Sequence, residues 1–246
     1  MTSTSDNITN KEIPPDSVLR VGFYSAMVTA VITLVTFGFA INAVPTSGAN
    51  CLADCFDYPY LDTISQFPKD YIWMPLAILM LLAYVVLMVS IQAYASRDRK
   101  IFGQVGLSFA IMAALILVGD YFVQFSVVPV SLMHGETEGI TMLTQYNSHG
   151  PFIVLEELGY LMMSLSFLCF APVFTGKNRL ERAIRWILII SFVLAVVSLT
   201  LISINHGLNR QDRFEVIIIS IDWLVLVING ILWSMLFKKQ LRSVSI

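Results

Sequence analysis

Long apolar blocks alternate with short polar stretches along this chain of 246 residues. Six blocks reach the ~20 mostly apolar residues that a helix needs to cross the hydrocarbon core of a bilayer. They cover residues 18–42, 72–95, 102–130, 152–175, 184–204 and 214–237. Backbone polar groups must find partners within the segment when lipid surrounds it, so such blocks predict helices. The pattern therefore predicts an all-α integral membrane protein, a bundle of six transmembrane helices.

The polar stretches are too short to form a second domain, so one transmembrane domain is predicted over residues 18–238. Residues 1–17 are predicted to form a flexible cytoplasmic tail, and residues 239–246 a short second one. Composition agrees with this class, because 57% of the residues are hydrophobic and 13% are charged. In soluble domains, about a quarter of the residues are charged.

The distribution of positive charge predicts the orientation in the membrane. With the N-terminus in the cytoplasm, twelve of the fifteen Lys and Arg residues lie on the cytoplasmic side, and only Lys69, Arg210 and Arg213 lie outside. This bias predicts that both termini are cytoplasmic. The outer side carries eight acidic residues: Asp54, Asp57, Asp62, Asp70, Glu136, Glu138, Asp212 and Glu215. Such a surface attracts cations, although acids in outer loops also serve solubility alone.

Four carboxylates interrupt the predicted spans: Asp120, Glu156, Glu157 and Asp222. A charge in the membrane core costs at least ~3 kcal/mol, so such residues face a protein interior or a wet cavity and mark a functional site by default. Counting about 1.5 Å per residue places all four roughly 8–12 Å below the outer surface. No Lys or Arg is predicted at that depth, which favours carboxylates that take up protons or bind a cation.

Three polar residues share helix faces with these carboxylates and are predicted to orient a bound solute. They are Gln124, Tyr160 and Asn229, which follow Asp120, Glu156 and Asp222 by one or two turns. The alternative interpretation is structural. In that case the carboxylates are neutral hydrogen-bond donors that join neighbouring helices.

All three histidines are predicted to lie at the outer face: His134, His149 and His206. Imidazoles beside carboxylates are suited to a divalent metal such as zinc. Their spacing matches no standard ligand motif, however, and each histidine precedes a glycine, which is also ordinary turn chemistry. A metal site and simple loop turns are both open at this stage.

Two cysteines, Cys51 and Cys55, lie in the first outer loop, where an oxidising exterior favours a disulfide between them. Their spacing disfavours a redox motif. No lysine lies in the middle of a span for retinal, and no histidine lies within a span for haem. No nucleotide-binding loop occurs either. We therefore expect no retinal, haem or nucleotide.

Three functions are open from the sequence. The first hypothesis is a small transporter or binding protein for a cation or cationic solute, open to the outside and coupled to protons. The second is a membrane-embedded enzyme that acts on a lipid or isoprenoid-like substrate with carboxylates as general acid and base. The third is a non-catalytic membrane subunit.

The expected surroundings are membrane lipids, and no nucleic-acid partner is expected. Small residues recur at four-residue spacing in the third span, which allows helices to approach closely. These residues are Gly106, Ala110 and Ala114. They predict close packing within the chain or, in a homo-oligomer, between copies.

Overall fold

The computed structural model describes residues 14–43, 46–176 and 178–244, which form helices and no strand. The α-helices are α1 Asp16–Asn42, α2 Trp73–Tyr94, α3 Lys100–Ser126, α4 Val128–Met133, α5 Ile140–Leu143, α6 Pro151–Phe170, α7 Arg179–His206 and α8 Arg213–Val244. Short 3-10 turns lie at Leu61–Gln66, Arg97–Arg99, Ala171–Val173 and Gly207–Asn209. Helices α1, α2, α3, α6, α7 and α8 are long and apolar enough to span a membrane. The described chain is thus all-helical, and its six long apolar helices are compatible with a polytopic membrane protein.

Proline and glycine determine several helix ends. α3 ends at Ser126, four residues before the predicted end of that block, and α4 restarts with Pro129 in its first turn. Proline has no N–H to donate to the preceding turn, so it interrupts a helix but is accepted at a helix start. For the same reason α6 begins at Pro151. α7 ends where Gly207 takes a φ of 56°, a conformation that costs glycine little.

Helices extend into both of the ranges that were predicted as tails. Residues 1–13 of the first tail lie outside the described residues, but α1 already begins at Asp16. The second predicted tail continues α8 to Val244. Residues 239–244 include Lys, Gln, Leu and Arg, with no Pro or Gly to stop a helix.

Five of the long helices form a closed ring in the order α1, α2, α3, α6, α8, because α6 also contacts α8 directly. α7 packs outside this ring, against α6 and α8. Only 17% of its most apolar stretch is buried, compared with 56% for α6. Most of the surface of α7 is therefore exposed outside the ring, whereas the apolar stretch of α6 is the most buried among the six long helices.

The small residues of α3 serve packing within the chain. A Cβ added to Gly106 would lie 2.8 Å from the ring of Phe170 on α6. Ser166 also donates its hydroxyl to the Gly106 carbonyl at 2.7 Å. This close α3–α6 contact confirms the intramolecular interpretation of the spacing for Gly106.

The bundle has two different ends. Among the described residues, the loop end carries the connections 46–72, 127–150 and 207–212, and the opposite end carries the short connections 95–99 and 171–176. Both long outer connections of the sequence prediction therefore lie at the loop end.

Candidate functional site

A cavity of about 320 Å³ lies at the loop end, between α1, α6 and α8 and beneath the long connections. Its lining includes four carboxylates, Asp70, Glu156, Asp212 and Glu215, and no Lys, Arg or His among the described residues. Its aromatic walls are Phe37, Trp73, Tyr146, Phe152 and Trp223. Negative charge next to aromatic faces is a combination that attracts cations. We call this space the loop-end cavity.

Glu156 reaches the cavity from α6 and ends a chain of hydrogen bonds. Tyr121 donates its hydroxyl to Glu156 Oε1 at 2.7 Å and lies 2.9 Å from the hydroxyl of Tyr160. Trp223 Nε1 donates to Tyr160 at 2.9 Å. An indole N–H can only donate, and Tyr121 uses its single hydroxyl hydrogen on Glu156. The hydrogen bonds are therefore donated from Trp223 to Tyr160, from Tyr160 to Tyr121 and from Tyr121 to the carboxylate. Such a chain polarises its members toward Glu156.

Glu215, in the first turn of α8, places its carboxyl group against that of Glu156. Oε2 of Glu156 is buried and has no donor among the described residues. Two neighbouring carboxyl groups repel each other when both are ionised, so a shared proton or a cation between them lowers the free energy of the site. A cation that enters the cavity can take the place of that proton.

Glu157 faces away from the cavity and is paired. Arg210 Nη2 donates to Oε2 of Glu157, whose side chain is nearly fully buried. The prediction that no base reaches the carboxylate layer is therefore wrong at this position. Arg210 lies in the connection 207–212, which folds back onto α6, and counting residues along a helix could not show this contact.

Asp120 and Asp222 are buried outside the cavity lining. Asp222 Oδ1 accepts from the Ser164 hydroxyl at 2.7 Å. Oδ2 of each aspartate has no hydrogen-bond partner among the described residues. Asn229, two turns beyond Asp222, is fully buried with both amide atoms unpaired. The predicted carboxylate layer is thus divided between a cavity, an ion pair and the interior.

Gln124 holds the second long connection onto α3. In the orientation that satisfies both amide atoms, it donates to the Leu143 carbonyl at 2.9 Å and accepts from the Gln145 N–H at 2.8 Å. The predicted solute-orienting amide therefore contacts backbone. By fixing this segment, it positions Tyr146, which follows Gln145 and lines the cavity.

Asp70 lies at the cavity wall next to Tyr146. The Tyr146 hydroxyl donates to Asp70 Oδ2 at 3.1 Å, and Oδ1 is buried without a partner. Burial raises the pKa of Asp70 above its ordinary value of 3.8, against the opposing effects of the Tyr146 hydrogen bond and Lys69. Burial also raises the pKa of the neighbouring Tyr71 to about 12. Burial raises the pKa of Tyr146 as well, so the phenols of Tyr71 and Tyr146 both stay protonated at neutral pH, and Tyr146 donates to the carboxylate.

Asp212, in the cavity lining, holds the first long connection in place by hydrogen bonds. It accepts from the Ala49 N–H at 2.8 Å and from Asn50 Nδ2 at 3.0 Å. Gly48 approaches so closely that an added Cβ would lie 2.7 Å from Asp212 Oδ1. The same connection contains the Cys51–Cys55 disulfide that the sequence predicted. Asp212 is therefore engaged in holding the loop, unlike Glu156.

The contacts described for His134 and His149 are made to residues close to them in the sequence. His134 Nδ1 lies 2.8 Å from the Val130 carbonyl of its own helical turn, and His149 Nδ1 lies 3.4 Å from the Ser148 hydroxyl. His206 is exposed at the end of α7. Within the described ranges, no group of three His, Cys, Asp or Glu residues is placed to hold a metal ion. A metal at these histidines stays a prediction without geometric support.

The spacing of polar residues along α8 is a sequence signal for Glu215, which charge distribution alone places among the outer acids. Glu215, Asp222 and Asn229 are seven residues apart, so they share one face of α8. Tyr121 and Trp223 likewise each follow an aspartate, and both reach Tyr160. The aromatic member of each Asp-aromatic pair thus joins the hydrogen-bond chain that ends at Glu156.

No protein-family model matches the chain, and neither curated proteins nor solved structures are significantly similar to it. The geometry of the loop-end cavity is therefore the basis for the functional argument.

Proposed function

We propose that this protein binds a small organic cation in the loop-end cavity and transports it across the membrane in exchange for a proton. The observation that carries the proposal is the contact between Glu156 and Glu215 in a cavity lined by acids and aromatic rings. A buried carboxyl group next to a partly buried one, in a cavity whose described lining contains no base, has two stable partners, a proton or a cation. This combination supports the transporter over the enzyme and the structural subunit.

The exchange follows from the charge of the pair. With one shared proton, Glu156 and Glu215 together carry one negative charge. An ammonium ion that binds beside them stabilises the second negative charge, and the proton leaves to solvent. One positive charge, the ammonium ion, therefore enters the site while another, the proton, leaves it. The faces of Trp73 and Trp223, whose centroids are 6.3 Å apart, offer cation–π contacts to the methyl or methylene groups of the ammonium.

A route beyond the cavity is supported by unpaired polar atoms in the interior. Asp222 Oδ2, the Asn229 amide and the Tyr84 hydroxyl are buried without hydrogen-bond partners among the described residues. A dry core that leaves such atoms unpaired is costly, so they favour water or a passing solute. Asn229 lies two turns further from the loop end than Asp222, which extends the polar face of α8 inward.

The proposed direction is based on the positive-charge bias, which places the loop end outside. Ser65 in the first long connection and Ser243 near the end of α8 are both exposed and allow a test. In a Cys169→Ala background, we expect a membrane-impermeant maleimide to label Ser65→Cys but not Ser243→Cys in right-side-out vesicles. The reverse pattern would invert the proposed direction.

Thermal unfolding of the purified protein tests the binding site. We expect tetramethylammonium or ethylammonium to raise the Tm of wild type through mass action, but not the Tm of Glu156→Gln. Glu136→Gln, which changes an exposed loop acid, is the matched control and should respond like wild type. If no cation stabilises wild type more than Glu156→Gln, the proposed site is wrong.

Proteoliposomes test the exchange itself. An outward gradient of the stabilising cation should drive proton uptake, which a pH-sensitive dye in the lumen reports. Binding in the thermal assay without coupled proton movement would leave a cation-binding protein and would refute the exchange.

A further inference from the structure

α1 and α8 touch most closely away from the loop end. A Cβ added to Gly22 would lie 2.6 Å from the Phe237 ring, and one added to Gly230 would lie 2.8 Å from the Ala30 Cβ. Toward the loop end, the same two helices flank the cavity instead. The lining includes Phe37, Ala40 and Ile41 from α1 and Glu215, Val216, Ile219 and Ser220 from α8. The two helices therefore separate toward the loop end, and the cavity occupies the space between them.

The rim of this space faces the outside of the bundle. Ile41 is 62% exposed and Val216 is 40% exposed, although both line the cavity. Ala40 and Ile219 lie beside them and are partly buried. We call the opening between these four residues the slot. In a bilayer this face of the bundle meets lipid, so the slot is an apolar passage from the membrane to the carboxyl pair.

We infer that the loop-end cavity opens sideways into the bilayer and binds an amphiphilic cation, an ammonium group on a single apolar chain. The ammonium group lies at Glu156 and Glu215, and the chain leaves through the slot. This inference rests on the proposed function and specifies its substrate class. Glu156 and Asp70 both line the cavity, and each has one buried carboxylate oxygen without a hydrogen-bond partner among the described residues, which supports a missing cationic partner.

Charge narrows the class of ligand further. A phospholipid with an ammonium headgroup also carries a phosphate, and the described lining offers four carboxylates and no Lys, Arg or His to pair with it. A net-cationic alkylammonium has no such group. Its chain should strengthen binding, because burial of each methylene raises affinity about threefold to fourfold.

Calorimetric titration of the protein in nanodiscs tests this inference, with empty nanodiscs as the correction for partitioning into lipid. The probes are trimethylammonium compounds that carry a methyl, butyl, octyl or dodecyl group. Ile219→Trp narrows the slot from α8, and Ala40→Leu narrows it from α1. Ile217→Trp is the matched control, because Ile217 is exposed on α8 and lies outside the cavity lining.

In wild type, affinity should rise with chain length until the chain leaves the slot. Each slot variant should weaken dodecyl binding at least tenfold more than methyl binding, whereas Ile217→Trp should affect both alike. The use of two slot variants on different helices guards against misfolding of either one. The Tm of each variant relative to Ile217→Trp reports its folding.

Two outcomes would overturn the inference alone. One is the same chain-length dependence in the slot variants and in Ile217→Trp, since the chain would then not pass through the slot. The other is equal affinity for dodecylphosphocholine and dodecyltrimethylammonium, since net charge would then not select the ligand. A wild type that binds none of the ammonium probes would overturn both the inference and the proposed function.

Discussion

Two buried glutamates lie at opposite ends of the bundle, and their surroundings differ. Glu181, at the start of α7, accepts from the Tyr94 hydroxyl at 3.1 Å, from the Thr175 N–H at 2.9 Å and from the Thr175 hydroxyl. Glu156 accepts from one tyrosine and otherwise faces a second carboxyl group and the cavity. Burial does not separate the two, because they are 4% and 0% exposed.

The number of donors separates them. Glu181 follows Asn178, whose side chain caps α7 by accepting from the Glu181 N–H at 2.9 Å. This cap orients the glutamate toward Thr175, and donors surround both carboxylate oxygens. A buried carboxylate with donors on both oxygens, such as Glu181, holds neighbouring helix ends together. A buried carboxylate with an unpaired oxygen in a residue that lines a cavity, such as Glu156, is suited to bind a ligand. Buried polar atoms are normally hydrogen-bonded, and exceptions to such rules are expected at functional sites.

The largest expected effect on folding is at Glu181. Glu181→Ala removes the hydrogen bonds from Tyr94 and Thr175 to a buried carboxylate, each worth about 1.5–3 kcal/mol. We expect the free energy of unfolding to fall by about 3 kcal/mol or more, measured by denaturant titration in detergent. Glu136→Ala, at an exposed acid, should change it by less than about 0.5 kcal/mol. A loss below about 1 kcal/mol at Glu181 would remove the distinction between the two glutamates.

The same comparison predicts the opposite behaviour for Glu156. Glu156→Gln keeps the shape and supplies an amide that can donate to Glu215, so the free energy of unfolding should stay unchanged or rise by up to about 1 kcal/mol. Cation affinity should fall about 100-fold, because one charge of the pair is lost. Titration calorimetry and unfolding on the same preparation give both numbers. A large loss of stability with intact binding would make Glu156 structural.

The pH dependence should follow the raised pKa of Asp70, which lies outside the spanning helices. A cation binds the ionised form, so cation affinity should increase as the pH rises from the ordinary value of 3.8 through the raised pKa. Without ligand, the folded state binds this proton more tightly than the unfolded chain. Stability should therefore be highest at low pH and fall as the pH rises through the same interval. Asp70→Asn should flatten both contributions, and unchanged pH profiles in that variant would assign them elsewhere.

The smallest effects are expected for a pair of tyrosines. Tyr121→Phe removes the donor to Glu156 and should lower cation affinity about tenfold, with little change in stability. Tyr94→Phe removes the donor to Glu181 and should lower the free energy of unfolding by about 1–2 kcal/mol without changing affinity. Binding and unfolding measurements on both variants test the comparison, which fails if both tyrosines affect the same property.

Part of this protein follows from its sequence alone. The apolar blocks determined six helices because a backbone in lipid has to satisfy its polar groups within the segment. Helical periodicity also placed Asp222 and Asn229 on one face, and Tyr160 one turn from Glu156. The loop cysteines could be paired from spacing and context, because four residues bring their side chains within reach of each other.

The partners of each carboxylate were decided only by the tertiary structure. Periodicity states which residues share a face, but not which faces meet across the bundle or where a connection folds back. Arg210 reaches Glu157 from a connection, and Glu215 meets Glu156 from another helix. Asp120, which resembled Glu156 in depth and apolar context, lies outside the cavity lining. The chemistry of a buried carboxylate depends on the few atoms within hydrogen-bonding distance, and the packing of distant segments supplies those atoms.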